Sequence, residues 1–191
     1  MQFKMRSFLS AYIDFSDHEY ELLISKAKLI EVNKNEQLLF ANKAAEKIFF
    51  IKSGILRSYR IIEGVDITHH FFLENGFATD YESFLTRKHG DVYLETITDA
   101  VLYEFNRSTL FSFFEDFSKF EKIRTVIAEN AYLKMVERLK DFQTKDLKER
   151  YLNLIDKNSK LFNLVSQKHI ASYLGVAPQS LSRIKENVKQ I

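Results

Sequence analysis

The chain has 191 residues, of which 46% are hydrophobic and 28% are charged. This is the ordinary balance of a globular domain, and it excludes collagen-like, low-complexity and wholly disordered sequences. The absence of cysteine excludes disulfides, thiolate zinc sites, cysteine-ligated iron–sulfur clusters and cysteine nucleophiles. There is no apolar run of about 18 residues and no secretory cleavage pattern near the start, so we expect a cytoplasmic protein without a membrane span.

The net charge of +2 hides an uneven distribution along the chain. Residues 1–115 carry 13 Lys and Arg against 17 Asp and Glu, whereas residues 116–191 carry 15 against 9. The basic excess is most marked over residues 159–191, which hold five basic side chains and a single acidic one, Glu186. An acidic body with a basic end predicts an anionic partner for that end, although solvated helices are often basic as well.

Short strands, with turn signals about every ten residues, are predicted between residues 27 and 105. Segments such as KIFFIKSGILRSY and YLETITDAVLYEF are rich in β-branched and aromatic residues. The turn signals are residues 33–36, Ser53-Gly54, Glu63-Gly64, Asn75-Gly76 and Thr98-Asp99. Helical patterns cover residues 16–27, 80–85 and 107–114. This arrangement predicts a sandwich, a barrel or a jelly roll.

A long helix is predicted over residues 116–143, which contain neither glycine nor proline. Its apolar residues recur at spacings of three and four: Phe117, Phe120, Ile123, Ile127, Ala131 and Met135. A helix of about 25 residues is roughly 37 Å long, too long to bury its whole apolar stripe against so small a domain. We therefore expect a dimerisation helix with Phe120, Ile123 and Ile127 in a two-fold interface. The alternative is one long core helix. A further helix is expected over residues 144–156.

The most informative motif reads SQKHIASYLGVAPQSLSRIKENV and begins at Ser166. Ser166 is a suitable N-cap for a helix over residues 167–173, and Gly175 suits the turn that follows. Pro178, the only proline of the chain, falls where the first residue of a second helix would be. The motif therefore predicts a helix-turn-helix in which residues 178–188 form the recognition helix, lying in a major groove.

The predicted recognition helix has an apolar and a polar side when it is drawn at about 100° per residue. The apolar side, Leu181, Ile184 and Val188, can pack on Ile170, Leu174 and Val176. The polar side supplies the candidates for reading base edges, because Gln suits adenine and Arg suits guanine. These candidates are Gln179, Ser182, Arg183 and Glu186. Candidates for phosphate contacts are Ser166, Gln167, Lys168, Ser180 and Lys185. The alternative is a helical hairpin with no role in nucleic-acid binding.

A β-rich domain, a long helix and this C-terminal motif, in that order, resemble the Crp/Fnr family of bacterial transcription regulators. The stretch IKSGILRSYRIIEGVDITHHFF is similar to the family's central strands, with Gly54 in the turn and Arg57 and Tyr59 on the next strand. The resemblance implies a homodimer that binds promoter DNA, contacts RNA polymerase and, in many members, responds to a small-molecule effector. It also implies an α+β fold with a cyclic-nucleotide-binding-type jelly roll over residues 1–115, a dimerisation helix over residues 116–143 and a helix-turn-helix domain over residues 144–191.

The segment that corresponds to the family's phosphate-binding cassette departs from the cyclic AMP binders. Those proteins carry a Gly-Glu pair at the start of a short helix and an Arg-Ser pair about ten residues later. In this chain Thr79-Asp80 and Tyr93-Leu94 stand near those places. A cyclic phosphate needs a cation and free N–H donors, whereas Asp80 is an anion. We therefore expect a degenerate pocket that does not bind cyclic AMP and that holds another ligand or none.

A second departure lies at the end of the sequence, which stops three residues after Val188. The family's wing hairpin usually follows the recognition helix, so we expect a truncated or absent wing. The phosphate contacts of a wing would then be lost or made elsewhere.

Other residue patterns predict no catalytic site, metal site or cofactor. His69, His70 and Glu74 hint at the metal site of a cupin, but adjacent strand residues point to opposite faces, so both histidines cannot easily bind one metal. No Ser/His/Asp spacing, Walker loop or GxGxxG occurs. The leading hypothesis is a DNA-binding regulator that is not an enzyme. The rival is a ligand-binding sensor that acts through protein contacts without binding DNA, and a cupin-like enzyme comes third.

Overall fold

The computed structural model describes residues 4–189 of the chain, which forms two compact units. The first unit consists of Met1–Ser58 and Phe71–Asn130, and the second consists of Tyr59–His70 and Ala131–Ile191. The second unit therefore contains the tip of a hairpin as well as the C-terminal helices. The predicted division of the chain at residues 115 and 143 stays a prediction.

The strands lie where the turn signals predicted them. They are β1 Ala27–Val32, β2 Gln37–Leu39, β3 Lys47–Ser53, β4 Leu56–Ile62, β5 Val65–Phe72, β6 Phe77–Ala78, β7 Tyr93–Thr96 and β8 Ala100–Asn106. One sheet has the strand order β1-β8-β3-β6 and the other β2-β7-β4-β5, which is jelly-roll topology. In the first sheet β8 pairs with β1 and β3, and β3 pairs with β6, in each case antiparallel. The α+β class and the jelly-roll order predicted from the sequence are therefore confirmed.

Two turns depend on backbone conformations that favour glycine. Between β4 and β5, Glu63 and Gly64 have φ angles of 51° and 78°, and two successive residues with positive φ form the tight hairpin turn whose twist matches that of the strands. Between β3 and β4, Gly54 has a φ of 104°, and a Cβ there would lie 2.7 Å from the Cβ of Ala100. A larger residue at position 54 would therefore collide with the segment that contains Asp99 and Ala100.

Aromatic side chains fill much of the interior of the first unit. Residues 48–51 of β3 are each at most 1% exposed, so this strand is covered on both faces. Phe113 stacks on Phe117 at 4.8 Å between ring centroids and meets Phe120 edge-on at 5.2 Å. The abundant phenylalanine of the sequence is thus used largely for core packing.

The long helix begins later than predicted. The first unit contains α1 Lys4–Ser10, α2 Asp17–Ser25, α3 Tyr81–Thr86 and α4 Arg107–Asp116. At Phe117 the backbone leaves the helical region, with φ −131° and ψ 72°, and a 3-10 helix over Ser118–Glu121 follows. Only then does α5, Lys122–Thr144, begin. The aromatic cluster of α4 and the 3-10 helix occupies the place where the prediction extended the long helix.

The residues predicted for the dimer interface pack inside a single protomer. Phe120 is 0% exposed and Ile123 is 4% exposed, and Ile127 is half-buried against the same core. Ile123 and Ile127 lie one turn apart, so they share the face of α5 that is turned to this core. The assignment of the interface to Phe120 and Ile123 is therefore wrong, because neither has surface left for a partner, and Ile127 is largely covered as well.

The second unit continues with helices α6 Leu147–Lys157, α7 Ser159–Leu164, α8 Gln167–Tyr173 and α9 Pro178–Lys189. The helix predicted over residues 144–156 is α6, which starts late because Asp146 caps it. The Asp146 carboxylate accepts from the Glu149 amide at 2.8 Å, and the Glu149 carboxylate accepts from the Asp146 amide at 2.9 Å. Helix α7 was not predicted. The truncated wing was predicted for residues beyond Lys189, which lie outside the described residues.

Candidate nucleic-acid interface

Helix α8 has the boundaries predicted from its capping residues. The Ser166 hydroxyl accepts from the His169 amide at 3.3 Å, which satisfies one N–H of the first turn. At the other end, the Val176 amide donates to the Ala171 carbonyl and the Gly175 amide to the Ser172 carbonyl, both at 3.0 Å. This pair of bonds is a Schellman motif, and Gly175 supplies the left-handed residue it needs, with φ 73°. The turn therefore fixes where α8 ends and the chain reverses.

Helix α9 begins at Pro178 and packs one face on α8. Leu181 is 0% exposed, and Ile184 and Val188 are half-buried. On α8, the matching residues Ile170 and Leu174 are buried. The predicted apolar side of the recognition helix is therefore confirmed as its packed side.

The opposite face of α9 points to solvent. Gln179, Arg183 and Glu186 are exposed and free to reach a partner surface. Ser182 is also exposed, but its hydroxyl donates to the Pro178 carbonyl at 3.1 Å. With its hydrogen used inside the helix, this hydroxyl can act toward a base only as an acceptor. The four candidates for base reading thus share one exposed face, which is a geometric condition for reading a groove and stays a prediction about function.

The five candidates for phosphate contacts lie in two places. Ser166, Gln167 and Lys168 are exposed at the start of α8, and Ser180 and Lys185 are half-buried on the flanks of α9. The Ser166 hydroxyl is already used as the N-cap, so Gln167 and Lys168 are the stronger candidates of the first group. The phosphate contacts of these residues stay a prediction.

A second exposed surface was not among the sites predicted from the sequence. Six large apolar residues of α5 are at least 40% exposed, and four of them lie on one side of the helix: Tyr132, Met135, Val136 and Leu139. Met135 and Val136 lie three and four residues after Tyr132, and Leu139 lies four and three residues after them, so the four form a stripe, which we call the α5 stripe. Counted at about 100° per residue, the stripe lies opposite Ile123 and Ile127, which face the core of the first unit. Met135 belongs to the apolar series predicted from the sequence, whereas Tyr132, Val136 and Leu139 were not part of it.

The residues near the predicted ligand cassette are held by the protein itself. The Thr79 hydroxyl donates to the Lys47 carbonyl at 2.7 Å, and the Asp80 carboxylate accepts from the Ser83 amide as the N-cap of α3. A Cβ on Gly90 would lie 2.0 Å from Asp80 Oδ2, so the loop after α3 comes close to this carboxylate. Tyr93 and Leu94 begin β7, where Tyr93 is half-buried and Leu94 is 0% exposed. A degenerate ligand pocket at these residues stays a prediction.

Neither a metal-binding cluster nor a membrane-spanning helix is found among the described residues. Within residues 4–189, no group of three or more His, Asp or Glu side chains is placed to hold a metal ion. The same part of the chain contains no helix with the length and apolar character needed to cross a membrane. His69 is exposed while His70 is half-buried, in keeping with adjacent strand residues that point to opposite faces.

Comparison with known proteins finds similarity to solved structures. No protein-family model matches the chain, and no curated protein matches its sequence. Among solved structures, the c-di-GMP responsive global regulator CLP of Xanthomonas campestris is 14% identical, with a TM-score of 0.72 and 92% of each chain covered. FixK2 of Bradyrhizobium japonicum is 17% identical, with a TM-score of 0.74, and 86% of this chain and 85% of that chain are covered.

A third similar structure is a putative transcriptional regulator of the Crp/Fnr family from Eubacterium rectale. It is 15% identical, with a TM-score of 0.73, and the match covers 95% of this chain and 86% of that chain. The chain has the fold of the Crp/Fnr regulators. The resemblance predicted from the helix-turn-helix motif and the order of elements is thereby confirmed at the level of the fold. CLP and the Eubacterium rectale protein are both described as regulators.

Proposed function

We propose that the chain is a cytoplasmic, sequence-specific DNA-binding transcription regulator of the Crp/Fnr type. The observation that carries the proposal is the arrangement of α9, which buries Leu181 on α8 and exposes Gln179, Arg183 and Glu186 on its other side. A helix held in this way can enter a major groove with its polar face toward the base edges. The basic excess over residues 159–191 supplies attraction to the phosphate backbone.

The proposed regulator acts as a homodimer joined along the α5 stripe. An exposed apolar stripe on a long helix is suited to a second copy of itself, because a two-fold pairing covers the same stripe on both helices. The residues proposed for this contact are Tyr132, Met135, Val136 and Leu139, in place of Phe120 and Ile123. Pairing would present two recognition helices to the two halves of a palindromic site in promoter DNA, with RNA polymerase as the further partner.

The proposed effector is not cyclic AMP. Asp80 places a carboxylate at the N-terminus of α3, where it already accepts a hydrogen bond from the Ser83 amide. A phosphate brought to the same amide would have to displace this carboxylate and would meet its negative charge. Another small molecule, or none, controls the protein. Calorimetry with cyclic AMP tests this, and a micromolar dissociation constant would contradict it.

The experiment that tests DNA binding starts from a random duplex library. The intact protein is used to select the sequences that it binds. Binding to the selected duplex and to a scrambled duplex is then followed by fluorescence anisotropy over a range of salt concentrations. We expect tighter binding to the selected sequence, and affinities that fall steeply with salt as counterions are released from the DNA. If no duplex binds at low salt, the rival function is favoured, in which the helix-turn-helix serves protein contacts in a ligand-binding sensor.

A further inference from the structure

The tip of the β4–β5 hairpin packs in the same compact unit as the helix-turn-helix. Tyr59–His70 groups with Ala131–Ile191, although 60 residues separate the two segments in the sequence. The hairpin therefore contacts α8 directly.

Ser172 of α8 binds the backbone of β5 twice. Its hydroxyl oxygen accepts from the Thr68 amide at 2.9 Å, and the hydroxyl donates to the Asp66 carbonyl at 3.3 Å. Strand β5 is at the edge of its sheet, where backbone N–H and C=O groups point away from the neighbouring strand. Thr68 is 0% exposed, so its amide meets the hydroxyl away from bulk water. One serine thus attaches the helix to two points on the sheet edge.

Arg138 of α5 joins the same elements from a third direction. Its guanidinium donates to the His69 carbonyl of β5 and, at 3.0 Å, to the Tyr173 carbonyl at the end of α8. The same guanidinium lies 4.3 Å from the centroid of the Tyr173 ring and 5.5 Å from that of Phe142. Burial lowers the pKa of Arg138 and raises the pKa of Tyr173, so both groups are withdrawn from water at this junction.

We propose that Ser172 and Arg138 are positioning residues, which hold the helix-turn-helix in a fixed orientation on the β4–β5 hairpin. We call the four residues Thr68, His69, Arg138 and Ser172 the hairpin clasp. The inference rests on the proposed function, since an orientation matters only if α9 binds a partner. With the clasp closed, Gln179 and the rest of the reading face stay exposed, so the clasped arrangement is the one that is competent to bind DNA.

The hairpin acts through position and not by contacting DNA. Its turn carries Glu63, and Asp66 follows on β5, while Arg60 is the single Lys or Arg of residues 59–70. A segment with more acidic than basic side chains near its turn is repelled by the phosphates of DNA, so we expect it to make no contacts to the DNA backbone. The hairpin clasp therefore fixes the orientation of the recognition helix on the β4–β5 hairpin.

The first test measures the orientation directly and needs no DNA. The chain has no cysteine, so Ile62→Cys and Asn187→Cys, both exposed, take spin labels at the hairpin and on α9. Labelled protein is mixed with excess unlabelled protein, so that double electron–electron resonance measures only the distance between the two labels of one protomer. We expect one narrow distance in the parent protein and a broad distribution when Ser172→Ala and Arg138→Gln are added. The control is Ser112→Ala, an exposed serine of α4, which should leave the distribution narrow.

The second test measures affinity. Ser172→Ala should weaken binding to the selected and the scrambled duplex by the same factor, about threefold to tenfold, the equivalent of one net hydrogen bond. Ser172→Thr, which keeps the hydroxyl, should restore both the affinity and the narrow distance. Unchanged distances in the Ser172→Ala/Arg138→Gln protein would overturn the hairpin clasp. If the unaltered protein binds no duplex, the proposed function fails, and the distance measurement still decides the clasp on its own.

Discussion

The two units of this chain use their apolar residues differently. Among the described residues of the first unit, the exposed large hydrophobic side chains are Tyr12, Leu29, Phe40 and Leu85. In the smaller second unit they are Ile61, Ile62, Val65, Ile67, Tyr132, Leu133, Met135, Val136, Leu139, Phe142, Leu152 and Leu164. Isolated exposed hydrophobic residues are normal, whereas a dense group marks a surface that is built to be covered.

This difference indicates where we expect partners to bind. The first unit buries its aromatic residues in a jelly roll and leaves little apolar surface for partners. The second unit has a smaller core and carries the α5 stripe, the polar face of α9 and the hairpin clasp. The first unit is therefore expected to respond to mutation through folding stability, and the second through assembly and binding. The predictions below test this division, beginning with the largest effect.

The largest effect is expected from a charge placed in the α5 stripe. Leu139→Glu should give a monomer of 22.5 kDa in light scattering at micromolar concentration, where the parent protein gives a dimer of about 45 kDa. A two-fold contact would bury the new carboxylate twice, and each burial costs several kcal/mol, so the dimer should weaken at least about a thousandfold. The matched control is Leu133→Glu, since Leu133 is 62% exposed but lies off the stripe. If both variants remain dimers, the stripe is not the interface.

The opposite end of the same helix should respond through stability alone. Ile123 is buried in the first unit, so Ile123→Ala should lower the free energy of unfolding by about 2–5 kcal/mol, from lost burial and an internal cavity. Ile123→Val should cost about 0.5–1.5 kcal/mol. Urea unfolding measures both, and light scattering should still report a dimer. Loss of the dimer with unchanged unfolding would mean that this face of α5 is an interface after all.

The reading face of α9 should separate base reading from phosphate binding. Arg183→Ala should cost about 1–3 kcal/mol per half-site and relax the preference at one base pair, most simply a guanine. Lys185→Ala, on the flank, should weaken selected and scrambled duplexes alike and reduce the salt slope by about one per monomer. The preferred half-sites should lie about 34–36 Å apart, one turn of DNA. Equal losses on both duplexes for both variants would remove the distinction between the two roles.

The helix-turn-helix could be predicted almost residue by residue because its signals act locally. Ser166 caps the amides of the turn that follows it, Gly175 supplies a left-handed residue, and Pro178 suits the first position of a helix. None of these effects depends on the rest of the fold. The strands were predicted for a similar reason, since turn residues such as Glu63 and Gly64 set the hairpins.

The proposed dimer surface could not be predicted in the same way, because α5 carries two apolar stripes with the same spacing. One includes Ile123 and Ile127, and the other includes Tyr132 and Leu139. Periodicity shows that both exist but does not show which one faces the core of the same chain. The hairpin clasp was beyond the sequence for another reason. Ser172 binds backbone atoms 104 and 106 residues away, and a hydroxyl bound to a backbone leaves no pattern in side-chain types.

The smallest expected effect is a difference between the units in mild acid. Burial, then the positive charges of Lys134, His69 and Arg138, lowers the pKa of His70 in the second unit to about 3. In the first unit, the hydrogen bond from Lys119 is the main cause that lowers the pKa of Glu19 to about 2. The stabilising effect of Glu19 is therefore lost only as the pH falls from the usual carboxylate range toward 2. His70 stays neutral in the folded chain but binds a proton in the unfolded chain below about pH 6.5, so stability falls as the pH drops from 6.5 toward 3.

Between pH 6.5 and 5.5 this should cost the second unit about 1 kcal/mol. Hydrogen exchange followed by mass spectrometry should show faster opening of β5 and α8 than of β3 and β8 over this range. His70→Gln should remove the difference between pH 6.5 and 5.5, because the side chain no longer binds a proton in the unfolded chain. His69→Gln, the exposed neighbour, is the matched control and should keep it. If the two units open in step as the pH falls, the second unit is no more acid-sensitive than the jelly roll. If His70→Gln keeps the response, His70 is not its source.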